Sequence, residues 1–349
     1  MSIRHLLWVL ALPAAALGCG AQIVSESSGN PAVEDFEVAW TFIDSIYPMF
    51  QEKGIDWDSV HTWYRPLAEV ARGDEWHQLL HDLVETLRDG HAYYQTAGGG
   101  VVFPFVSHRY RRDHATFSPY VTRRYFPGEL AVTENRKIEY GILEGNLGYL
   151  RLSTFDQPHL LDEFPTVMSS LLSTDGLVID IRNNTGGEME NVSRVVGWFI
   201  EKPMRWCDGF SQREVLEDVE PPMEPHGSPG PYSGQVAVLI NGAARSAGDL
   251  FAEVMRQLPQ VTLVGDTTMG IACQDYADLD GDRTLPSGAS IHIPTGCMRR
   301  YDGVPVEWFA VPPDVRVTQT VEDLRGGRDL QLEKAISLLK DETEGGGLS

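Results

Sequence analysis

The sequence predicts an α/β protein in which an N-terminal helical region precedes a core of alternating strands and helices. Two observations support this class. Between residues 139 and 342, short apolar runs alternate with amphipathic segments, which is typical of buried parallel strands and their covering helices. Between residues 34 and 95, apolar residues recur at helical spacing instead. A chain of 349 residues is long enough to bury a large core.

The helical domain is predicted over residues 34–95, as three helices. The first carries Ala39, Phe42 and Ile43 on one face, and the second is expected to be capped by Asp58, with Leu67 on its apolar side. The third is expected to end near Asp89-Gly90-His91, with the glycine just past the helix end. Residues 96–138 mix short β-branched stretches with glycines, which predicts a β or irregular connecting segment.

The core is predicted over residues 139–342, and residues 343–349 form a glycine-rich, flexible tail. Strands are predicted at 147–152, 176–181, 236–240 and 261–264, and helices at 160–172, 192–200 and 246–258. Repeated β–α units of this kind favour a mainly parallel sheet.

The N-terminus predicts export. Arg4 precedes an apolar run at residues 6–17, which is too short to span a bilayer but suits a signal peptide over residues 1–18. Small residues precede Cys19, which resembles a bacterial lipoprotein signal in which this cysteine is lipidated. Ordinary secretion with cleavage after a small residue is the alternative. The polar residues 19–33 would then form a tether on the periplasmic or surface face of the bacterial cell membrane.

Charge and cysteine content restrict the function classes. The net charge is −22, which argues against nucleic acid as a partner because phosphate binding needs clustered positive charge. Five arginines between residues 109 and 124 form the one basic region, either as a solvated face or local ion pairs or, alternatively, as a site for an anionic substrate end. Cys273 and Cys297 lie in neighbouring segments predicted to form a hairpin, so they are the best disulfide candidates, whereas Cys207 is left over.

Three segments carry residues suited to catalysis. Ser246 follows a predicted strand and opens a helix, where free N–H groups favour a serine nucleophile and its oxyanion; the alternative is a helix cap with Asp249. The turn at 183–187 ends in paired glycines that could present a backbone N–H to a pocket, or it is an ordinary turn. His91 could act as a general base, although a lone histidine is more often structural.

Metal sites are not supported by the spacing of acidic residues and histidines. His77 and His81 have the i, i+4 spacing of zinc ligands, but Gln78 stands where a metalloprotease carries its glutamate base. The acidic run at 278–282 has its glycine in the wrong place for a calcium loop and is interpreted as a turn.

Together these segments resemble the C-terminal processing (tail-specific) serine peptidases. Residues 179–187, Ile-Asp-Ile-Arg-Asn-Asn-Thr-Gly-Gly, resemble that family's Asp-x-Arg-x-Asn-x-Gly-Gly signature. Residues 241–270 resemble its nucleophile segment, 87–91 its Leu-x-Asp-Gly-His element, and 303–314 its C-terminal glutamate and proline stretch. The resemblance implies a crotonase-like or Clp-protease-like ββα core. The family's usual PDZ domain is not expected, because the segment between His91 and the strand at 147 is too short.

Departures from the family pattern point to its tricorn-like branch. Ile271 stands where the Ser–Lys enzymes carry their lysine, and isoleucine cannot take a proton. The resemblance therefore implies a Ser246 nucleophile, a His91 base and a Glu307 carboxylate that orients the base. Gly187 and Ala247 would be the oxyanion donors. Two further departures are Gly90, where the tricorn-like site has a serine, and Ala310, which replaces a glycine.

We therefore expect an exported serine peptidase that acts on peptides or unfolded protein ends and needs no cofactor or metal. The alternatives are a catalytically weak or inactive module that binds peptides or small apolar ligands on the same fold, and another serine hydrolase such as an esterase. No oligomeric state is inferred from the sequence.

Overall fold

The computed structural model describes residues 30–156, 159–205, 207–212, 215–216, 222–276 and 279–345. The predicted signal peptide, Cys19 and most of the tether lie outside these residues. Within them, no helix combines the length and apolar character needed to cross a membrane.

Eleven α-helices lie in the described residues: α1 Pro31–Ile46, α2 Phe50–Lys53, α3 Trp57–Val70, α4 Asp74–Glu85, α5 His108–Asp113, α6 Pro119–Thr122, α7 Phe164–Leu171, α8 Met189–Val196, α9 Ala247–Met255, α10 Val321–Arg325 and α11 Leu330–Gly345. The strands of the described residues are β1 Tyr93–Gln95, β2 Val101–Val102, β3 Ala131–Val132, β4 Ile138–Leu143, β5 Leu147–Leu152, β6 Gly176–Asp180, β7 Asp208–Ser211, β8 Val215–Leu216, β9 Gln235–Ile240, β10 Val261–Gly265, β11 Cys273–Gln274, β12 Asp282–Thr284, β13 Ser290–His292, β14 Gly296–Arg299 and β15 Val315–Arg316.

The central sheet has seven strands in the order β15-β10-β9-β6-β5-β4-β3. The five strands from β15 to β5 are parallel, and β4 and β3 extend the sheet at one end as antiparallel strands. One apolar cluster covers one face of this sheet and includes α7, α8 and α9, while α11 packs on the other. The turns after β6 and β9 emerge side by side, because the carboxyl ends of neighbouring parallel strands meet at one sheet edge.

The helical region shares its core with distant β segments. Helices α1, α3 and α4 pack with Leu285, Ile291 and Ile293, and β1 pairs directly with β13. The described residues between 92 and 146 form short helices and strands rather than a PDZ domain, as the sequence predicts. His91 therefore lies where the helical region meets the C-terminal half of the chain.

Three local predictions need correction. The second helix is capped by Asp56, which accepts the N–H of Ser59, rather than by Asp58, and Leu67 is exposed rather than buried. The helix predicted from residue 160 begins at Phe164, with a proline in its first turn. Gly90 does not cap α4, which ends at Glu85, and its φ is not positive.

Candidate active site

Ser246 stands at the start of α9 in a strained backbone conformation. Its φ is +56°, which is unusual for a residue other than glycine and often marks a functional position. Its N–H donates to the Ile271 carbonyl and to the Asp249 carboxylate, each at 2.9 Å. The second bond is half of the predicted capping box, so a capping role and a functional role coexist here.

Asp249 does more than cap the helix. Its buried carboxylate also accepts the N–H groups of Gly270 at 2.8 Å and Ile271 at 3.1 Å. Burial raises the pKa of this carboxyl to about 6, against the opposing effect of these hydrogen bonds. Asp249 thus fastens the Ser246 backbone to the segment that carries Ile271.

The paired glycines after β6 lie against the Ser246 turn. A Cβ at Gly186 would come within 2.6 Å of the Ser246 Cβ, and a Cβ at Gly187 would overlap the backbone of Phe155 and Asp156. Both residues have positive φ, which glycine adopts without strain. Among the described residues, no acceptor is found for the N–H of Gly187 or of Ala247. Both amides are thus free to bind an oxyanion.

The hydrogen bond of His91 fixes which ring nitrogen carries the proton. Nδ1 lies 2.6 Å from the carbonyl oxygen of Cys273. A carbonyl can only accept, so Nδ1 must be the donor and Nε2 keeps its lone pair. Burial lowers the pKa of the imidazole and outweighs the opposing effects of Asp89 and the carbonyl. His91 is therefore held as a neutral base near physiological pH.

His91 and Ser246 line one cleft of about 460 Å³. The sequence predicts that these two residues work together, and the structure brings them to the same cavity. Most of the other lining side chains are apolar or aromatic, with Arg245 as the one cation; the lining residues are Gly90, His91, Phe103, Phe105, Val106, Ser107, Tyr110, Thr185, Arg245, Ser246, Met269 and Ile271. A largely apolar cleft with a few convergent polar groups is typical of a ligand site.

Glu307 is linked to His91 through the backbone of Cys273 and not by a direct hydrogen bond. Its Oε1 pairs with Lys53 Nζ at 2.7 Å, and its Oε2 accepts the N–H groups of Ala272 at 2.8 Å and Cys273 at 3.3 Å. Among the described residues, the imidazole of His91 bonds the Cys273 carbonyl and not this carboxylate. Glu307 therefore positions the backbone of Cys273, and the carbonyl of Cys273 in turn positions the imidazole of His91.

The carboxylate of Glu307 belongs to a buried charged cluster. Lys53 also donates to Tyr47 at 2.7 Å and lies 3.7 Å from Asp89. Asp89 in turn accepts the backbone N–H of His91 at 2.9 Å. Burial, followed by the negative charge of Asp89, raises the pKa of Glu307 to about 7. This cluster joins helix α2 to two residues that bond His91: Asp89 at its backbone N–H and Cys273 at its imidazole.

Two departures from the family pattern touch each other. A Cβ at Gly90 would overlap the side chain of Ile271, which is buried against it. Ile271 thus occupies the space in which a serine at position 90 would lie. Ala310 has a φ of +62° and packs against Gly270. This backbone conformation favours glycine, which is the residue that the family pattern has at position 310.

The arginines of residues 109–124 mostly have protein partners. Arg109 donates to the carbonyls of Met269 and Trp308, Arg112 pairs with Asp113 and Asp266, and Arg123 pairs with Glu139. Local ion pairs, one of the interpretations of this basic region, therefore describe Arg112 and Arg123, whereas Arg109 bonds backbone carbonyls.

The disulfide predicted between Cys273 and Cys297 is confirmed. The two residues face each other across the β11–β14 pair. Because the Cys273 carbonyl accepts a hydrogen bond from His91 Nδ1, the disulfide restrains the strand that holds His91.

Two groups of possible metal ligands lie in the described residues. His81, Asp82 and Glu85 lie on α4, away from the cleft, where Asp82 already contacts Gln78. Asp89, Cys273 and Glu307 are buried together, but the Cys273 sulfur is in a disulfide and Lys53 Nζ already pairs with both carboxylates. The chemistry of this second donor set does not suit a cation.

Sequence reasoning missed Lys53, Arg245 and the Cys273 carbonyl. Lys53 pairs with a residue 254 positions away, so no local pattern reveals it. A backbone carbonyl has no side-chain signal at all. Arg245 did have one, since a charged residue directly before a candidate nucleophile is notable.

Comparison with known proteins gives two family matches. The model of peptidase family S41 matches residues 146–317, and that of the tricorn protease C1 domain matches residues 32–74. Tricorn protease from Thermoplasma acidophilum is 28% identical over 217 residues, which is 60% of this chain and 18% of that protein. A carboxy-terminal-processing protease from Bartonella bacilliformis is 24% identical over 212 residues, 56% of this chain and 44% of that protein. The chain thus spans less than half the length of these relatives.

Solved structures show the same fold. A protein from Parabacteroides merdae superposes with a TM-score of 0.75 and 24% identity, covering 89% of this chain and 97% of that one. The photosystem II D1 C-terminal processing protease gives a TM-score of 0.51 and 15% identity, covering 83% and 93%. The S41 match includes Gly187, Ser246 and Glu307, and the relatives include tricorn and carboxy-terminal processing proteases. Residues 146–317 of this chain thus match peptidase family S41, a family of serine-type peptidases.

Proposed function

We propose that this chain is a serine peptidase in which Ser246 is the nucleophile and His91 is the general base. The observation that carries the proposal is the bond from His91 Nδ1 to the Cys273 carbonyl, which leaves Nε2 as an acceptor in the cleft that Ser246 lines. A neutral imidazole held in this tautomer is the state that can accept a serine proton.

The proposed reaction follows from these positions. Ser246 Oγ attacks the scissile carbonyl while its proton passes to His91 Nε2, and the oxyanion that forms is bound by the N–H groups of Gly187 and Ala247. His91 then gives the proton to the leaving amine, which departs. Water then takes the place of the amine: it gives a proton to His91 and attacks the acyl carbon, and the ester bond breaks as His91 returns the proton to Ser246 Oγ, which releases the acid product. No step needs a redox partner, because only protons and the acyl group are transferred.

Glu307 is a positioning residue in this scheme. Its carboxylate accepts the Cys273 N–H, and the carbonyl of the same residue accepts a hydrogen bond from His91 Nδ1. Lys53 offsets its charge. The role differs from that of a triad carboxylate, which bonds the imidazole directly.

Cleavage of an unfolded polypeptide tests the proposal. The full chain, incubated with reduced and alkylated protein and analysed by mass spectrometry, is expected to release peptides. Ser246→Ala and His91→Ala should each abolish release. Cleavage that survives Ser246→Ala would overturn the assignment, whereas peptide binding without any cleavage would support the inactive binding module. Preferential hydrolysis of an ester would support an esterase.

We further propose that the protein is exported and anchored through lipidated Cys19, on the basis of the apolar run and small residues before it. Labelled palmitate should enter the protein when a bacterial host makes it, and Cys19→Ala should abolish the label. Cys207→Ala is the matched control. Label that persists in Cys19→Ala would exclude this site.

A further inference from the structure

Arg245 places a positive charge in the cleft directly beside the nucleophile. Its backbone is fixed, because its N–H donates to the Asn184 carbonyl at 3.1 Å and its carbonyl accepts the N–H of Gly248 at 2.8 Å. The side chain is half-buried, and Nε lies 3.4 Å from the Thr185 carbonyl. The guanidinium is thus held at the cleft wall by a rigid turn.

The rest of the guanidinium has no protein partner in the described part of the chain. No carboxylate there pairs with Arg245, and no hydrogen bond of its Nη1 or Nη2 is found. Other arginines differ: Arg182 is buried between Asp180 and Asp329, and Arg109 bonds two carbonyls. An arginine left unpaired is notable in a chain of net charge −22.

A guanidinium presents a planar set of donors that matches a carboxylate. The guanidinium of Arg245 is close enough to His91 to contribute to the lowered pKa of the imidazole. The surrounding walls are apolar, with Phe103, Phe105 and Val106 among them, so an anion bound there would be partly shielded from water.

We propose that Arg245 binds a carboxylate of the substrate, so that the enzyme favours peptides with a negative charge close to the cleaved bond. The inference rests on the proposed function and names the substrate class of that site. Since an extended chain advances roughly 3.3–3.6 Å per residue and Arg245 adjoins Ser246, the carboxylate lies within about three residues of the scissile bond. It is either the C-terminal carboxylate or an acidic side chain.

Binding to the Ser246→Ala protein tests the inference without turnover. Isothermal titration calorimetry would compare four N-acetylated apolar pentapeptides: one with a free C-terminus, its amide, and two amides with a central glutamate or glutamine. We expect at least one anionic peptide to bind roughly 10- to 100-fold more tightly than its neutral counterpart, the range for a hydrogen bond to a charged group. Which pair shows the difference identifies the source of the carboxylate.

Variants of Arg245 then test whether this residue causes the preference for anionic peptides. Adding Arg245→Gln to Ser246→Ala should bring the ratio close to one. Arg245→Lys should keep part of it, because lysine keeps the charge but loses the planar fork. Arg325→Gln, which removes an exposed arginine of α10, should keep the full ratio. Equal binding of charged and neutral peptides, an unchanged ratio in Arg245→Gln, or no binding at all would overturn the inference. Lack of cleavage by the wild-type chain would contradict only the proposed function.

Discussion

The side chain of Ile271 lies directly on the α-carbon of Gly90, so that a methyl group at position 90 would overlap three of its atoms. The Ile271 carbonyl at the same time accepts the N–H of Ser246. One residue therefore fills the space beside His91 and fixes the backbone of Ser246. Gly90 and Ile271, which both depart from the family pattern, thus contact each other directly.

Gly90→Ala tests this contact. We expect it to lower the free energy of unfolding by about 1–3 kcal/mol, the usual effect of adding a methyl group to a packed site. In an Ile271→Ala background the same substitution should cost little, because the space is then open. Urea unfolding of the four proteins gives the coupling. Equal effects of Gly90→Ala in both backgrounds would contradict the contact.

Ile271→Lys tests whether a Ser–Lys mechanism can replace the proposed one. The base position is already taken by His91, and Ile271 is buried, so a lysine would add a desolvated charge without a role. Peptide cleavage should not increase at any pH, and Ile271→Met should serve as the neutral control of similar volume. A rate increase with an alkaline optimum in Ile271→Lys would contradict the assignment of His91.

The pH dependence of cleavage tests the state of His91. The imidazole must be neutral to accept the serine proton, and burial lowers its pKa below the ordinary value of 6.5. The acid limb of kcat/KM should therefore lie below pH 6.5. A free imidazole would place this limb near pH 6.5. A limb above pH 7 would contradict a buried, neutral base.

The pH dependence of stability tests the Glu307 cluster. The pKa of Glu307 is about 7 in the folded protein, above its ordinary value of 4.5. Between these values the folded state holds a proton that the unfolded state releases, so the stability contributed by this group falls as pH rises from about 4.5 to about 7. Lys53→Met should steepen the fall, because the ionised carboxylate loses its counter-ion.

Glu307→Gln should remove this pH dependence while lowering kcat, since an amide cannot hold the same Lys53 and Cys273 donors. Exposed Lys202→Met is the matched control for Lys53→Met and should leave the unfolding curve unchanged. An identical pH dependence of unfolding in wild type, Lys53→Met and Glu307→Gln would show that the cluster does not control the titration.

The sequence predicted what local pattern encodes. The four buried strands were placed to within a residue of β5, β6, β9 and β10, because their apolar runs have sharp ends. The disulfide between Cys273 and Cys297 was predicted correctly, but β11 and β14 do not form the expected hairpin, because β12 and β13 lie between them and belong to another sheet. Helix starts were less accurate: Asp56 and Asp58 are both good caps, and only the folded structure shows which one accepts the N–H of Ser59.

The sequence predicted the side chains of the candidate site but not the backbone groups that position them. Ser246 and His91 were found from motifs, and they line the same cleft. The partner of His91 was not found, because a backbone carbonyl carries no sequence signal. The role expected of Glu307 is indirect in the structure for a related reason: the tertiary fold brings Lys53 to this carboxylate from the opposite end of the chain.

The most direct test of the central claim is labelling by a fluorophosphonate, which reacts with an activated serine. The wild-type chain should be labelled once, on Ser246 as identified by mass spectrometry of the peptides. His91→Ala and Ser246→Ala should each lose the label, while Ser287→Ala keeps it. Labelling that survives His91→Ala, or that falls on another serine, would contradict a Ser246 nucleophile activated by His91.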